Sequence, residues 1–270
     1  MEIDRPYSHQ ILRGDSSHRS LATDGYFVTQ VLSDEELREL QSGYRQFLSM
    51  IEGEELNYFA ASCNVANRDA VRYSKDLIDG IFTKAFNRIF IEGSFEHTGG
   101  VFMMKKSGED TYHPLHRDIP VVDERRTYGI YSWTPITETG PDSGRMFVVP
   151  GSNHSGSHQR SHLLEYPKMD EGLYRDSYKV LDVKMGETLF FDARLLHGSQ
   201  ANTSGKTRAV VNFYVKPAHE PCIYYAQNPN DSGLVDVYEI DPAYFFEQEH
   251  HGNTAKGKHM RFLHSEPRLA

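Results

Sequence analysis

The sequence predicts a mainly β protein: a double-sheet jelly roll braced by helices near its N-terminus. Three observations lead there. Two segments in the first third carry apolar residues at helical spacing. From Gly100 onward, short β-branched and aromatic runs alternate with Gly, Pro, Asn and Asp clusters. No strand–helix alternation of the βαβ kind accompanies those runs, which leaves a closed or sandwiched antiparallel arrangement. The chain has 270 residues, within reach of one large domain. It carries no repeat, low-complexity segment or linker, so residues 1–270 read as a single domain.

Taken in order, the first ~20 residues are polar and carry no pattern. Gly25 to Gln30 reads as a short strand. Ser33 and Glu36 then form a capping-box signature, followed by Leu37, Leu40, Tyr44, Phe47, Leu48 and Ile51 at helical spacing. A second helix is predicted from Lys75 to Phe90, where Leu77, Ile78, Ile81, Phe82, Ala85, Phe86 and Ile89 form a broad apolar stripe fit to pack on a sheet. The strand candidates are VFMMKK, TYGIYSWTPI, RMFVVPG, YKVLDVK, ETLFFDA, LLHGSQ and TRAVVNFYVKP. The tail beyond Asp241 is polar and holds His250, His251, His259 and His264, a composition that either stays solvated, packs as a lid or binds metal.

Composition excludes several function classes. Lys and Arg total 29 against 38 Asp and Glu, a net charge of −9. That balance disfavours a nucleic acid or an anionic membrane as partner. No stretch approaches the ~20 apolar residues that cross a bilayer. The N-terminal segment MEIDRPYSHQ has neither the basic nor the apolar part of a signal peptide. Two cysteines, Cys63 and Cys222, make no disulfide framework and no thiolate metal site. The expectation is a cytoplasmic protein acting on a small molecule, with any metal held by His, Asp or Glu.

The chemistry concentrates in His113-Pro114-Leu115-His116-Arg117-Asp118. On an extended strand, residues two apart point the same way. His116 and Asp118 therefore share a face, and Arg117 takes the other. Far downstream, the apolar strand ETLFFDA leads into Arg194-Leu195-Leu196-His197-Gly198-Ser199, which puts another imidazole at a sheet rim. Two histidines and one carboxylate on strands are the ingredients of the facial triad that holds non-haem Fe(II) with open positions. Arg208 opens the next strand and is suited to grip the carboxylate of an acidic co-substrate.

These segments resemble Fe(II)/2-oxoglutarate-dependent oxygenases of the phytanoyl-CoA dioxygenase family. DGYFVTQVLSDEELREL is similar to the family's opening strand and helix, and HRD supplies H-x-D. MFVVPGSNHSG resembles its PGSH turn, with Asn153 inserted before His154, and LLHGSQANTSGKTR its closing H-G-S…R motif. The resemblance implies a cupin-like double-stranded β-helix. It implies His116, Asp118 and His197 as iron ligands, Arg208 on the far carboxylate of 2-oxoglutarate with Ser199 assisting, and Trp133 beside the co-substrate. It further implies O2 as oxidant, decarboxylation to succinate and CO2, and hydroxylation of an unactivated C–H in a metabolite. Desaturation, epoxidation and cyclisation use the same site. Related halogenases carry a small residue where Asp118 stands, so a carboxylate here implies no halide chemistry.

Strand alternation extends the candidates. If Arg208 points inward, so does Asn212; if Trp133 does, so does Tyr131. Both, with His113, are candidates for contacts beside the metal or with substrate. Arg68 and Arg72 lie in a stretch, NVANRDAVRYSKD, that is placed to cover the mouth and meet an anionic substrate. An acyl-CoA is disfavoured, because no basic cluster awaits its phosphates. Two other classes stay open: a jelly-roll binding protein without turnover, and a cupin-type isomerase or hydrolase, which leaves Arg208 without a task.

Overall fold

A computed structural model describes residues 5–161, 164, 169–246 and 260–269. The N-terminal layer holds three helices. Helix α1 (Asp15–Asp24) ends at Gly25, whose φ of 82° lets its N–H reach the Leu21 carbonyl before strand β1 (Tyr26–Gln30) begins. A Cβ on Gly25 would lie 2.6 Å from Leu195 Cδ1 and 2.8 Å from Asn153 Oδ1, so no larger residue fits this turn. Helix α2 (Asp34–Met50) carries the expected capping box: Glu36 N–H donates to Ser33 Oγ at 3.3 Å, and Ser33 N–H donates to Glu36 Oε2 at 2.8 Å. Helix α3 (Arg68–Phe86) begins before the predicted Lys75, because the Asn67 side chain accepts from the N–H groups of Asp69 and Ala70 and starts the helix there.

The remaining strands are β2 (Phe59–Ala61), β3 (Phe95–His97), β4 (Val101–Lys105), β5 (His113–His116), β6 (Ile130–Pro135), β7 (Met146–Val148), β8 (Lys179–Val180), β9 (Glu187–Asp192), β10 (His197–Ser199), β11 (Arg208–Pro217), β12 (Ile223–Gln227), β13 (Leu234–Ile240) and β14 (Met260–Pro267). The large antiparallel sheet runs β1-β9-β6-β11-β4-β2, with β3 also on β11. A second sheet runs β5-β10-β7-β8. This is the predicted mainly β architecture of two facing sheets behind N-terminal helices.

Period-two alternation gives the large sheet two different faces. Phe102 and Met104 of β4, Ala209, Val211 and Phe213 of β11, and Phe190 of β9 turn outward. There they pack on Leu40, Tyr44 and Phe47 of α2 and Ile78, Phe82 and Phe86 of α3. Each such fully buried apolar side chain contributes about 1.5–3 kcal/mol. The intervening residues Trp133, Leu189, Phe191 and Val210 turn inward and meet Met146 and Val148 of the smaller sheet. The space between the sheets is where Arg208, at the first position of β11, also comes to lie.

Two regions depart from expectation. The N-terminal segment is not patternless in space. Tyr7 is fully buried, its hydroxyl donates to Asp192 Oδ2 at 2.6 Å, and it accepts from Asn153 Nδ2 at 2.6 Å. The C-terminal region forms a third sheet, β12-β13-β14. Its last strand shows no buried-exposed alternation, since six of its eight residues are exposed, so no period-two signal announces it.

Candidate active site

The strand pair β5–β10 builds the site. In its register His197 lies directly opposite His116, and Asp118 follows two residues beyond the end of β5. One ligand atom from each of His116, Asp118 and His197 can be chosen so that all three lie within 4.8 Å of one another. Asp118 Oδ1 is 3.6 Å from His116 Nε2, and Oδ2 is 3.6 Å from His197 Nε2. Those separations are too long for good hydrogen bonds and suit three donors facing one point.

The backbone sets the histidine tautomers. His116 Nδ1 lies 2.8 Å from the Pro114 carbonyl, and His197 Nδ1 lies 3.0 Å from the Leu195 carbonyl. A carbonyl only accepts, so each Nδ1 carries a proton and each Nε2 is the nitrogen turned toward Asp118 and left to bind a metal ion. Burial opposes ionisation of Asp118, but His197 and His116 outweigh it and hold the carboxyl down at about 2. Burial, then His116, pushes the His197 imidazolium down to about 4. A neutral imidazole and an ionised carboxylate are the forms that bind a divalent ion. Two nitrogens and one oxygen, with no thiolate, fit Fe(II) by the chemistry of the donor set.

Beside this triad lies a cavity of about 100 Å³. Phe59, Met103, Met146 and Phe191 give it apolar walls. Trp133, Ser199, Arg208, His113 and Asn212 also line it. Arg208 is 2% exposed, and burial lowers its guanidinium to about 10. It donates to the Gly144 carbonyl, lies over the Trp133 ring, and keeps Nε without a partner among the described residues. His113 stacks on Phe59 with ring centroids 5.2 Å apart and meets His116 edge-on at 4.5 Å. Burial, then His116 and His197, pushes His113 down to about 4, so it stands neutral; its Nδ1 has no partner among the described residues. Asn212 Oδ1 is likewise buried without a partner there. Arg117 turns away as alternation predicts, donating to the Arg194 and Ser152 carbonyls.

Other candidates fall elsewhere. Tyr131 does not line the cavity; its hydroxyl donates to the Ile119 carbonyl at 3.0 Å and ties down the segment after Asp118. Arg72 does not cover the mouth. It is exposed on α3 and pairs with Asp69 one turn away, because helix start and not lid is what this stretch encodes. Arg68 is drawn to the carbonyls of Cys63 and Phe246. His154 Nε2 faces the Thr23 carbonyl at 3.3 Å. In the tail, His264 lies 3.5 Å from Glu266, while His250, His251 and His259 fall outside the described residues.

Sequence reasoning passed over Lys105. It is 0% exposed, and its ammonium donates to Ser199 Oγ at 2.8 Å and to the Gln200 carbonyl at 2.7 Å. The available signal was alternation along VFMMK: Phe102 and Met104 face the helices, so Met103 and Lys105 share the inward face.

Comparison with known proteins bears on the family and the fold. The human peroxisomal phytanoyl-CoA dioxygenase is 30% identical over 128 residues, which is 42% of this chain and 37% of that enzyme. The chain thus matches well under half the length of this relative. Two solved structures share the fold. EvdO2 from Micromonospora carbonacea var. aurantiaca, complexed with 2-oxoglutarate, superposes with a TM-score of 0.57 at 17% identity, covering 76% of this chain and 91% of that one. The non-heme alpha ketoglutarate dependent carbocyclase SnoK from nogalamycin biosynthesis gives 0.54 at 18% identity, covering 77% and 86%. Among the described residues no helix is long and apolar enough to cross a membrane. The phytanoyl-CoA dioxygenase family model matches residues 21–210, a span that holds the triad and Arg208, and the chain belongs to this family of Fe(II)- and 2-oxoglutarate-dependent oxygenases.

Proposed function

We propose that this chain is a 2-oxoglutarate-dependent dioxygenase that hydroxylates an unactivated C–H bond of a small metabolite. His116, Asp118 and His197 hold Fe(II). Arg208, with Ser199 and Trp133 beside it, holds the far carboxylate of 2-oxoglutarate. When bound, the iron supplies O2 activation coupled to decarboxylation of 2-oxoglutarate to succinate and CO2. The carrying observation is that the triad and a buried, incompletely partnered Arg208 line one cavity. A cupin-type isomerase or hydrolase leaves that arginine without a task, and a binding protein without turnover need not retain it.

The protein's own contribution is positioning and exclusion of water. The Pro114 and Leu195 carbonyls fix both imidazole tautomers. The Trp133 ring lies beside the guanidinium and leaves its charge for pairing with a carboxylate. Phe59, Met103 and Phe191 keep the cavity apolar around the reacting carbon. His113 and Asn212 supply the unused hydrogen-bonding groups that orient a substrate.

The test is anaerobic reconstitution with Fe(II) followed by 2-oxoglutarate. A weak visible charge-transfer band is expected, and succinate release in air should rise with one member of a metabolite panel. Absence of both the band and substrate-stimulated succinate rejects the reading.

A further inference from the structure

Lys105 has no task in the site as described. It stands directly opposite Arg208 across the β4–β11 ladder, and both face the space between the sheets. Lys105 is 0% exposed and Arg208 2%. Neither has a carboxylate within ion-pair distance among the described residues; Lys105 bonds only to Ser199 Oγ and to the carbonyls of Ser199 and Gln200. Two buried like charges without a counter-charge are costly. Such a pair persists where a ligand brings the missing negative charge. The polarity of the contact points the same way. An ammonium only donates, so Ser199 Oγ accepts from it and keeps its own proton for another acceptor.

We propose that Lys105 is a positioning residue for the dicarboxylate co-substrate: it holds the Ser199 hydroxyl as a donor toward the bound carboxylate and adds a second positive charge beside Arg208. The inference rests on the reading of the cavity as a 2-oxoglutarate site. A consequence is proton-linked binding. Burial, then Arg208, pulls the Lys105 ammonium down to about 7. The charged and titratable groups facing it are Arg208 from β11 and His113 from β5; Phe59, its partner on β2, and Ser199 on β10 are neutral. No anion offsets that fall until the co-substrate arrives and raises it. Affinity is therefore full when pH is well below 7 and declines as pH rises through that value, and binding above it takes up a proton.

The experiment is calorimetric titration of 2-oxoglutarate into the full chain loaded with redox-silent Mn(II), at pH 6 and pH 8, in buffers of different ionisation enthalpy. Wild type should take up a fraction of a proton at pH 8 and almost none at pH 6. Lys105→Met should lose the uptake and bind about tenfold more weakly at pH 6, the loss expected for one charge-assisted hydrogen bond. Ser199→Ala should weaken binding while keeping the uptake. Lys105→Arg should restore affinity and abolish uptake, and it serves as the second variant if thermal melting shows that Lys105→Met does not fold. Wild-type affinity and uptake retained in Lys105→Met, or uptake retained in Lys105→Arg, overturns the role of Lys105 alone. Wild-type protein that binds no 2-oxoglutarate overturns the co-substrate reading and this inference with it.

Discussion

The Arg208 guanidinium carbon lies 5.1 Å from the centre of the Trp133 ring. The pair sits on neighbouring strands β11 and β6, where Asn212 is the register partner of Trp133 and Arg208 lies toward the strand end. The indole thereby gives the cation a π face to lie against without neutralising it. Removing the cation should remove the grip on the co-substrate. Arg208→Ala is expected to cost about 2–5 kcal/mol of 2-oxoglutarate binding, a weakening of roughly 30-fold or more. Trp133→Leu should weaken it less, because the charge stays while only its π contact is lost. Anaerobic titration of the charge-transfer band measures both. Unchanged affinity in Arg208→Ala removes the carboxylate-clamp assignment.

The triad makes a separate prediction. Asp118 is the only anionic member, so Asp118→Ala removes both a ligand and the charge that offsets the ion. Metal affinity should fall at least tenfold, with folding retained because Asp118 is partly exposed to the cavity. Equilibrium dialysis with Mn(II) followed by metal analysis reads this directly. Affinity equal to wild type would place the metal elsewhere.

Gly198, between His197 and Ser199, links packing to that metal site. A Cβ there would lie 2.5 Å from Phe147 Cζ and 2.7 Å from the His113 carbonyl oxygen. The second contact is backbone, so β10 itself must move away from β5. Gly198→Ala is therefore expected to destabilise the fold by about 1–3 kcal/mol and to weaken metal binding by displacing His197. Denaturant unfolding and metal titration check the two effects; a variant with both unchanged shows that the strand pair tolerates the shift.

How far the sequence carried depends on whether a feature is local. The α2 capping box involves Ser33 and Glu36, three residues apart, and was legible from that spacing alone. The H-x-D motif was legible for the same reason. His197 was readable as the end of an apolar strand, but its place opposite His116 depends on pairing across the fold. Lys105 shows the limit. Lys105-Lys106 at the end of a strand reads as a solvated edge, and only the pairing of β4 with β11 encloses the first of the two. Tyr7 is similar: its partners Asn153 and Asp192 are distant in sequence, so no local pattern announces its burial. Arg72 errs the other way, since a charged run between two helices looks like a lid until Asn67 is seen to cap α3.

That last point predicts a silent substitution. Arg72 is exposed and its partner Asp69 lies on the same helix, so the pair is screened by solvent. Arg72→Ala should change stability by no more than about 0.5 kcal/mol and leave 2-oxoglutarate turnover within roughly twofold of wild type. A large rise in KM for the organic substrate would show that α3 reaches it after all.

The Tyr7–Asn153–Asp192 chain offers a contrasting case, in which a residue far from the cavity matters to stability. Asp192 is fully buried at the end of β9 and is held by the Tyr7 hydroxyl and by Arg194, whose Nε lies 3.1 Å from Oδ1. Tyr7→Phe keeps the ring against Tyr128 but takes a donor from a buried carboxylate. It also leaves Asn153 Nδ2 without its hydroxyl acceptor. Neither group is fully orphaned, because Arg194 still pairs with Asp192 and the Leu21 and Ala22 carbonyls lie 3.5 Å from Asn153 Nδ2, so the loss should fall toward the lower end of the about 1–3 kcal/mol cost of an unsatisfied buried polar group. Asn153 belongs to the turn that follows β7, and β7 pairs with β10 and hence with His197. The loss should therefore appear in urea unfolding as a lower midpoint with an unchanged slope, and 2-oxoglutarate affinity at saturating metal should stay near wild type below the transition. An unchanged midpoint would mean that Arg194 alone satisfies Asp192.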